Sequence, residues 1–230
     1  MGHIIEFASN GTDGQGYLAE PAHGPGLPLL VIQEWWGLVP HIKDVADRFA
    51  AAGFTALAPD MYHGAATTEP DEAGKQMMSL DLARAGRDLS GAVDDLRRRT
   101  GREAVGVVGF CMGGGLALVV AAQRPDAVRA CVPFYGLIPW PEAQPDYSRL
   151  TAAVQGHYAA MDSYFPPSAV ASLQDTLTGL RADGGEPVEM FVYEGADHAF
   201  FNDARPEVYD AEASALAWSR TLAFLEQHLR

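Results

Sequence analysis

The sequence predicts an α/β domain built on a mainly parallel sheet, with helices on both faces and an antiparallel hairpin at one edge. Short apolar runs alternate with longer amphipathic stretches, the order expected when each strand is followed by a crossover helix. The runs are continuously apolar, as strands buried on both faces require. The first two are separated only by Asn10-Gly11 and neighbouring turn residues, which fits a hairpin.

The hairpin strands are expected at 4–8 and 16–20, and the buried strands at 29–33, 55–58, 105–110, 130–135, 152–157 and 188–194. Helices fit between them at 41–52, 82–99, 113–124 and 167–183, with a last one at 207–229. In that last helix Ala211, Ala215, Trp218, Leu222 and Leu225 recur three or four apart and form one apolar face. The segment 62–78 has weak periodicity beyond a strand end and reads as a cap over a site or as a surface excursion. With 230 residues, 48% of them apolar, no linker and no repeat, the chain is read as one domain over 1–230.

A formal charge of −14 without a basic stripe argues against nucleic acid or an anionic membrane surface, because phosphates would be repelled. The N-terminus lacks a basic segment followed by an apolar run, and no stretch reaches the roughly 18 apolar residues that cross a bilayer, so a cytoplasmic protein is expected. Cys111 and Cys131 are too few for a disulfide framework, and neither paired cysteines nor clustered histidines suggest a metal. A monomer acting on a small molecule, with no metal or organic cofactor, is the expectation.

The stretch Val105-Gly106-Val107-Val108-Gly109-Phe110-Cys111-Met112-Gly113-Gly114-Gly115 carries the chemistry. It reads as a strand, then Gly-x-Cys-x-Gly, then a helix: a nucleophile elbow with cysteine in place of serine. Such a turn forces its central residue into a disfavoured conformation, and the flanking glycines remove side chains that would collide. Cys111 then stands at a helix N-terminus, where unpaired N–H groups and the helix dipole favour a negative charge on sulfur. The other reading is a structural cysteine beside a dinucleotide-binding turn. Against it, the first strand-to-helix turn has no Gly-x-Gly-x-x-Gly. Cys131, inside a strand, reads as a small core hydrophobe.

A nucleophile of this kind needs a base and an acid, which in this fold follow it in the order acid, then histidine. His198 lies on the loop after strand 188–194 and can take the thiol's proton and return one to a leaving group. His3, His23, His41, His63 and His228 sit at termini, turns or a helix start. Asp162, just past strand 152–157, can hold the imidazole in one tautomer. Asp197 competes for that role but adjoins His198 in sequence, while Asp146 and Asp175 read as a loop residue and a helix-surface charge.

With these residues in place the sequence resembles the dienelactone hydrolase family, of the α/β-hydrolase fold, over nearly its whole length. The resemblance rests on Gln33-Glu34-Trp35-Trp36-Gly37, Ala58-Pro59-Asp60-Met61-Tyr62, Gly109-Phe110-Cys111-Met112-Gly113-Gly114, Gly156-His157-Tyr158 with Asp162, and Gly195-Ala196-Asp197-His198-Ala199-Phe200. It implies hydrolysis of a lactone or carboxylic ester by Cys111, His198 and Asp162 through an acyl-enzyme. It also implies a glutamate, Glu34, that holds the resting thiol and yields to substrate, and an oxyanion hole made by the N–H groups of Trp35 and Met112. Trp36, Tyr135, Phe200 and Arg205 are expected to contact substrate. Family members that grip a substrate carboxylate use two arginines; this chain has Pro70 and Asn202 at those positions, with Arg205 or Arg84 as substitutes. The alternatives are a general carboxylesterase or thioesterase, or a thiol redox or ligand-binding protein on the same fold.

Overall fold

In a computed structural model, which describes residues 1–9 and 11–230, eight strands form one sheet in the order β1-β2-β4-β3-β5-β6-β7-β8. The strands are β1 His3–Ser9, β2 Thr12–Ala19, β3 Leu27–Ile32, β4 Phe54–Pro59, β5 Val105–Phe110, β6 Val128–Phe134, β7 Ala153–Ala159 and β8 Val188–Tyr193. From β4 to β8 every pairing is parallel. The pairings β1 with β2 and β2 with β4 are antiparallel, so the hairpin lies at one edge as expected. Its turn residue Asn10 lies outside the described residues. The second hairpin strand begins at Thr12 rather than Gly16, because polar Thr12-Asp13-Gly14-Gln15 continue the ladder against Ser9 to Glu6, where half the side chains face water.

The helices are α1 Pro40–Ala51, α2 Pro70–Met78, α3 Leu82–Thr100, α4 Met112–Gln123, α5 Pro167–Gly179 and α6 Ala211–Leu229. Alternate residues of the central strands face opposite sides. Leu29 and Val31 join Ile42, Val45 and Phe49 of α1 and Ala217, Phe224 and Leu225 of α6 in one core. Leu30 and Ile32 join Leu89 and Leu96 of α3, Leu116 and Val120 of α4, and Leu173 and Leu177 of α5 in the other. Burying each large side chain stabilises the fold by about 1.5–3 kcal/mol. Among the described residues no helix is long and apolar enough to cross a membrane.

Three helices depart from the pattern read in the sequence. α5 ends at Gly179 rather than 183, where the chain turns through Arg181 and Gly184. α6 starts at Ala211, not 207, because the Asp210 carboxylate accepts the N–H groups of Glu212 and Ala213 and fixes the first turn there. α2 is a helix inside the segment 62–78, started by Pro70 and by Asp71 and Glu72 in its first turn, with only Ala73 buried. It gave little periodicity because almost none of it faces a core. The segment is nevertheless docked: Thr67 N–H donates to the Trp36 carbonyl at 3.0 Å, and a Cβ on Gly74 would touch the Trp35 ring.

Between β3 and β5 the chain changes direction. It leaves β3 for α1 on one face and β5 for α4 on the other, so the carboxyl ends of these two neighbouring strands meet at the switch point where open α/β sheets place a ligand crevice. The residues that follow β3, β5, β7 and β8 gather around it.

Candidate active site

Cys111 links β5 to α4 with φ 54° and ψ −118°, a conformation rare outside glycine that costs of order 1–3 kcal/mol. The surroundings enforce it. Cys111 N–H donates to Phe134 O at 3.0 Å, and Gly114 N–H returns to Cys111 O at 2.9 Å. The helix crosses so close to β3 that a Cβ on Gly113 would meet the carbonyl oxygens of Ile32 and Gln33, and one on Gly109 would meet Gly113 O. Glycine is required at both by contact, and the bend lifts Sγ to the crevice, where Cys111 is part-exposed. Cys131, by contrast, is fully buried in β6, and burial pushes its thiol up to about 12.

His198 follows β8 on a turn fixed by Gly195 at φ 77°, Ala199 at φ 66° and the Asp197 carboxylate, which accepts the His198 N–H at 2.7 Å. Its Nε2 lies 3.2 Å from Cys111 Sγ, and its Nδ1–H donates to Asp162 Oδ2 at 2.8 Å. Asp162 is 3% exposed, and its other oxygen accepts the N–H groups of Tyr164 and Phe165 at 2.8 and 3.0 Å. Burial works against charge on both groups. It would lower the imidazole pKa, but the hydrogen bonds and charges of Asp162 and Cys111 prevail and push His198 up to about 10. Burial would likewise raise Asp162, yet His198 and the two backbone donors hold it below the usual carboxylate range. Asp197, the competing acid in the sequence, serves the turn instead.

Glu34, directly after Gln33 at the end of β3, is buried beside this group. Its Oε1 accepts the Tyr135 hydroxyl at 3.3 Å and its Oε2 accepts Asn202 Nδ2 at 2.7 Å, while the hydrogen-bond partner of Sγ is His198. Burial, reinforced by the Glu34 charge, lifts Tyr135 well above the usual phenol range and keeps it a donor. Asn202 was read in the sequence only as a missing arginine; its bond to a glutamate 168 residues away leaves no local signal.

The N–H groups of Trp35 and Met112 donate to no acceptor among the described residues and flank the crevice from its β3 and β5 sides. Of the expected contact residues, Trp36 is buried edge-on to Trp35 and carries the Arg205 guanidinium 5.5 Å from its ring centroid. Arg205 also pairs with Glu207 at 2.9 Å, and Arg84 bonds His63 at 3.2 Å. Tyr135 and Phe200 are fully buried, so they do not line a surface. Phe200 packs behind Tyr135 at 5.4 Å, and Tyr135 sets its ring edge against His198 at 5.3 Å. They fix the base from behind, because the strand ends here are sealed by an aromatic cluster with Phe134 and Tyr193. His157 ties β7 to Tyr193 and Thr221 and is no rival base: burial, with the nearby Arg220 charge, pulls it down to about 3.

The rings that do stand at the mouth, Tyr164 and Phe165, were not singled out in the sequence. Their signal was the spacing Asp162-Ser163-Tyr164-Phe165-Pro166, an aspartate two and three residues before N–H groups it can accept.

Comparison with known proteins bears on the family and the fold. The model of the dienelactone hydrolase family matches residues 15–229. "Protein usf" of Aquifex pyrophilus is 37% identical, with all of both chains covered. A "Putative carboxymethylenebutenolidase" of Aquifex aeolicus is 34% identical, again over all of both chains. A crystal structure from Klebsiella pneumoniae, described as a "Putative Dienelactone Hydrolase", superposes with a TM-score of 0.86 at 28% identity and covers 99% of each chain. The sheet order, the elbow after β5 and this similarity give the chain the α/β-hydrolase fold, and the chain belongs to the dienelactone hydrolase family.

Proposed function

We propose that the protein hydrolyses lactones or carboxylic esters by acyl transfer through Cys111. The observation that carries this reading is the continuous chain of contacts from Sγ through His198 to Asp162, 3.2 and 2.8 Å long. Sγ attacks the carbonyl carbon while its proton resides on Nε2. The oxygen that becomes negative sits between the N–H groups of Trp35 and Met112 at the start of α4, where the helix dipole adds to the two donors. The carbon–oxygen bond breaks, Nε2 gives its proton to the departing oxygen, and a thioester remains on Cys111. Water, with its proton taken by Nε2, then cleaves the thioester and returns the thiol.

The relatives' names support a lactone substrate, and the polar contacts support a broader esterase without a carboxylate grip. Asn202 is engaged by Glu34, and both candidate arginines are engaged elsewhere. Hydrolysis of simple aryl esters at rates comparable to a carboxylate-bearing lactone distinguishes the broader reading.

The test is mass spectrometry of the protein quenched during turnover of a panel of lactones and activated esters. An acyl adduct on the peptide holding Cys111, absent in Cys111→Ala, is expected. Turnover retained by Cys111→Ala overturns the reading.

A further inference from the structure

Besides the buried Tyr135, the imidazole that serves the leaving group has two aromatic rings beside it. Tyr164 lies 5.1 Å from the His198 ring, centroid to centroid, and Phe165 lies 5.9 Å away. Tyr164 is 69% exposed and Met161, on the same turn, is 65% exposed. One carboxylate fixes both the base and this turn, because Asp162 Oδ2 holds His198 while Oδ1 holds the N–H groups of Tyr164 and Phe165. The backbone that carries both rings is therefore tied to the carboxylate that holds the base.

We propose that Tyr164, with Phe165 and Met161, forms the subsite for the leaving group and selects aryl over alkyl esters. This rests on the acyl-transfer reading above. In that step the Sγ–carbon bond forms, the bond from the carbonyl carbon to the aryl oxygen breaks, and the Nε2 proton passes to that oxygen, so phenol departs. The departing oxygen must lie within reach of Nε2, and a flat group attached to it then lies along the Tyr164 ring. An exposed aromatic face stabilises a second ring by stacking and by removing apolar surface from water. A small alkyl group covers less of that face.

The experiment compares kcat/KM for phenyl acetate and trifluoroethyl acetate, two activated esters that differ in the shape of the leaving group. In Tyr164→Ala the phenyl-to-trifluoroethyl ratio is expected to fall about ten-fold, the scale of one lost aromatic partner plus its buried area. Tyr164→Phe, which keeps the ring, is expected to restore it. A ratio unmoved in Tyr164→Ala, or left low in Tyr164→Phe, overturns the subsite. A second measurement needs no turnover: titration of phenol into Cys111→Ala protein, followed by NMR line broadening of phenol, with and without Tyr164→Ala. Phenol binding that weakens about ten-fold without the ring supports the subsite, and binding indifferent to it overturns the subsite. If wild-type protein cleaves neither ester, the phenol titration alone decides the subsite, and the acyl-transfer reading stands or falls by the adduct on Cys111.

Discussion

Asp162 keeps His198 protonated, so removing its charge has a defined effect on the pH dependence of activity. In Asp162→Asn the imidazole loses the partner that most opposes its burial, and the alkaline limb of kcat/KM is expected to move down from near 10. The rate itself is expected to fall about 10²- to 10⁴-fold, as when a general base loses its orienting acid. A pH–rate profile checks both. Glu34 poses a different question, since two donors hold it and the thiol does not. Asn202→Leu leaves a buried carboxylate oxygen without its 2.7 Å donor and is expected to destabilise the fold by about 1–3 kcal/mol in urea unfolding. Glu34→Gln is expected to lower turnover with the fold intact, measured by kcat beside a circular dichroism spectrum; unchanged kcat removes Glu34 from the chemistry.

At the level of elements, the elbow tolerates no side chain on its inner face. Gly113→Ala forces a methyl group into the carbonyls of Ile32 and Gln33, both backbone atoms that cannot rotate aside. It is expected to lower the urea midpoint far more than Gly179→Ala at the end of α5, where a Cβ meets nothing within 4 Å. The buried strands and the elbow were legible in the sequence because both are local signals: continuous apolar runs, and glycines at fixed offsets from Cys111. His198 and Asp162 were legible because each lies within five residues of a strand end, where the fold order places them. α2 was not, because its start depends on Pro70 and two acids rather than on a buried face. Nor were the positions of Tyr135 and Phe200, whose aromatic character suits a binding wall as well as a core; only the packing of Phe134 and Tyr193 around them decides.

Across the whole molecule the Asp162–His198 pair ties the end of β7 to the end of β8, and its contribution to stability has a pH window. Asp162 is depressed, so its part is present above its unfolded value of about 4 and is lost as pH falls through its folded value. His198 is raised, so its part is full below about 6.5 and is lost as pH rises toward about 10. The difference in urea midpoint between wild type and Asp162→Asn is therefore expected to be largest between about pH 4 and 6.5 and to narrow on both sides. The distance along the chain has a consequence of its own. Cys111 and His198 are 87 residues apart, and Glu34 meets Asn202 across 168. A chain still emerging from synthesis, or one opened by heat, carries a thiol with no imidazole beside it. The pairing of Cys111 with its imidazole thus becomes a marker of maturation, absent from every precursor until the final third of the polypeptide has docked.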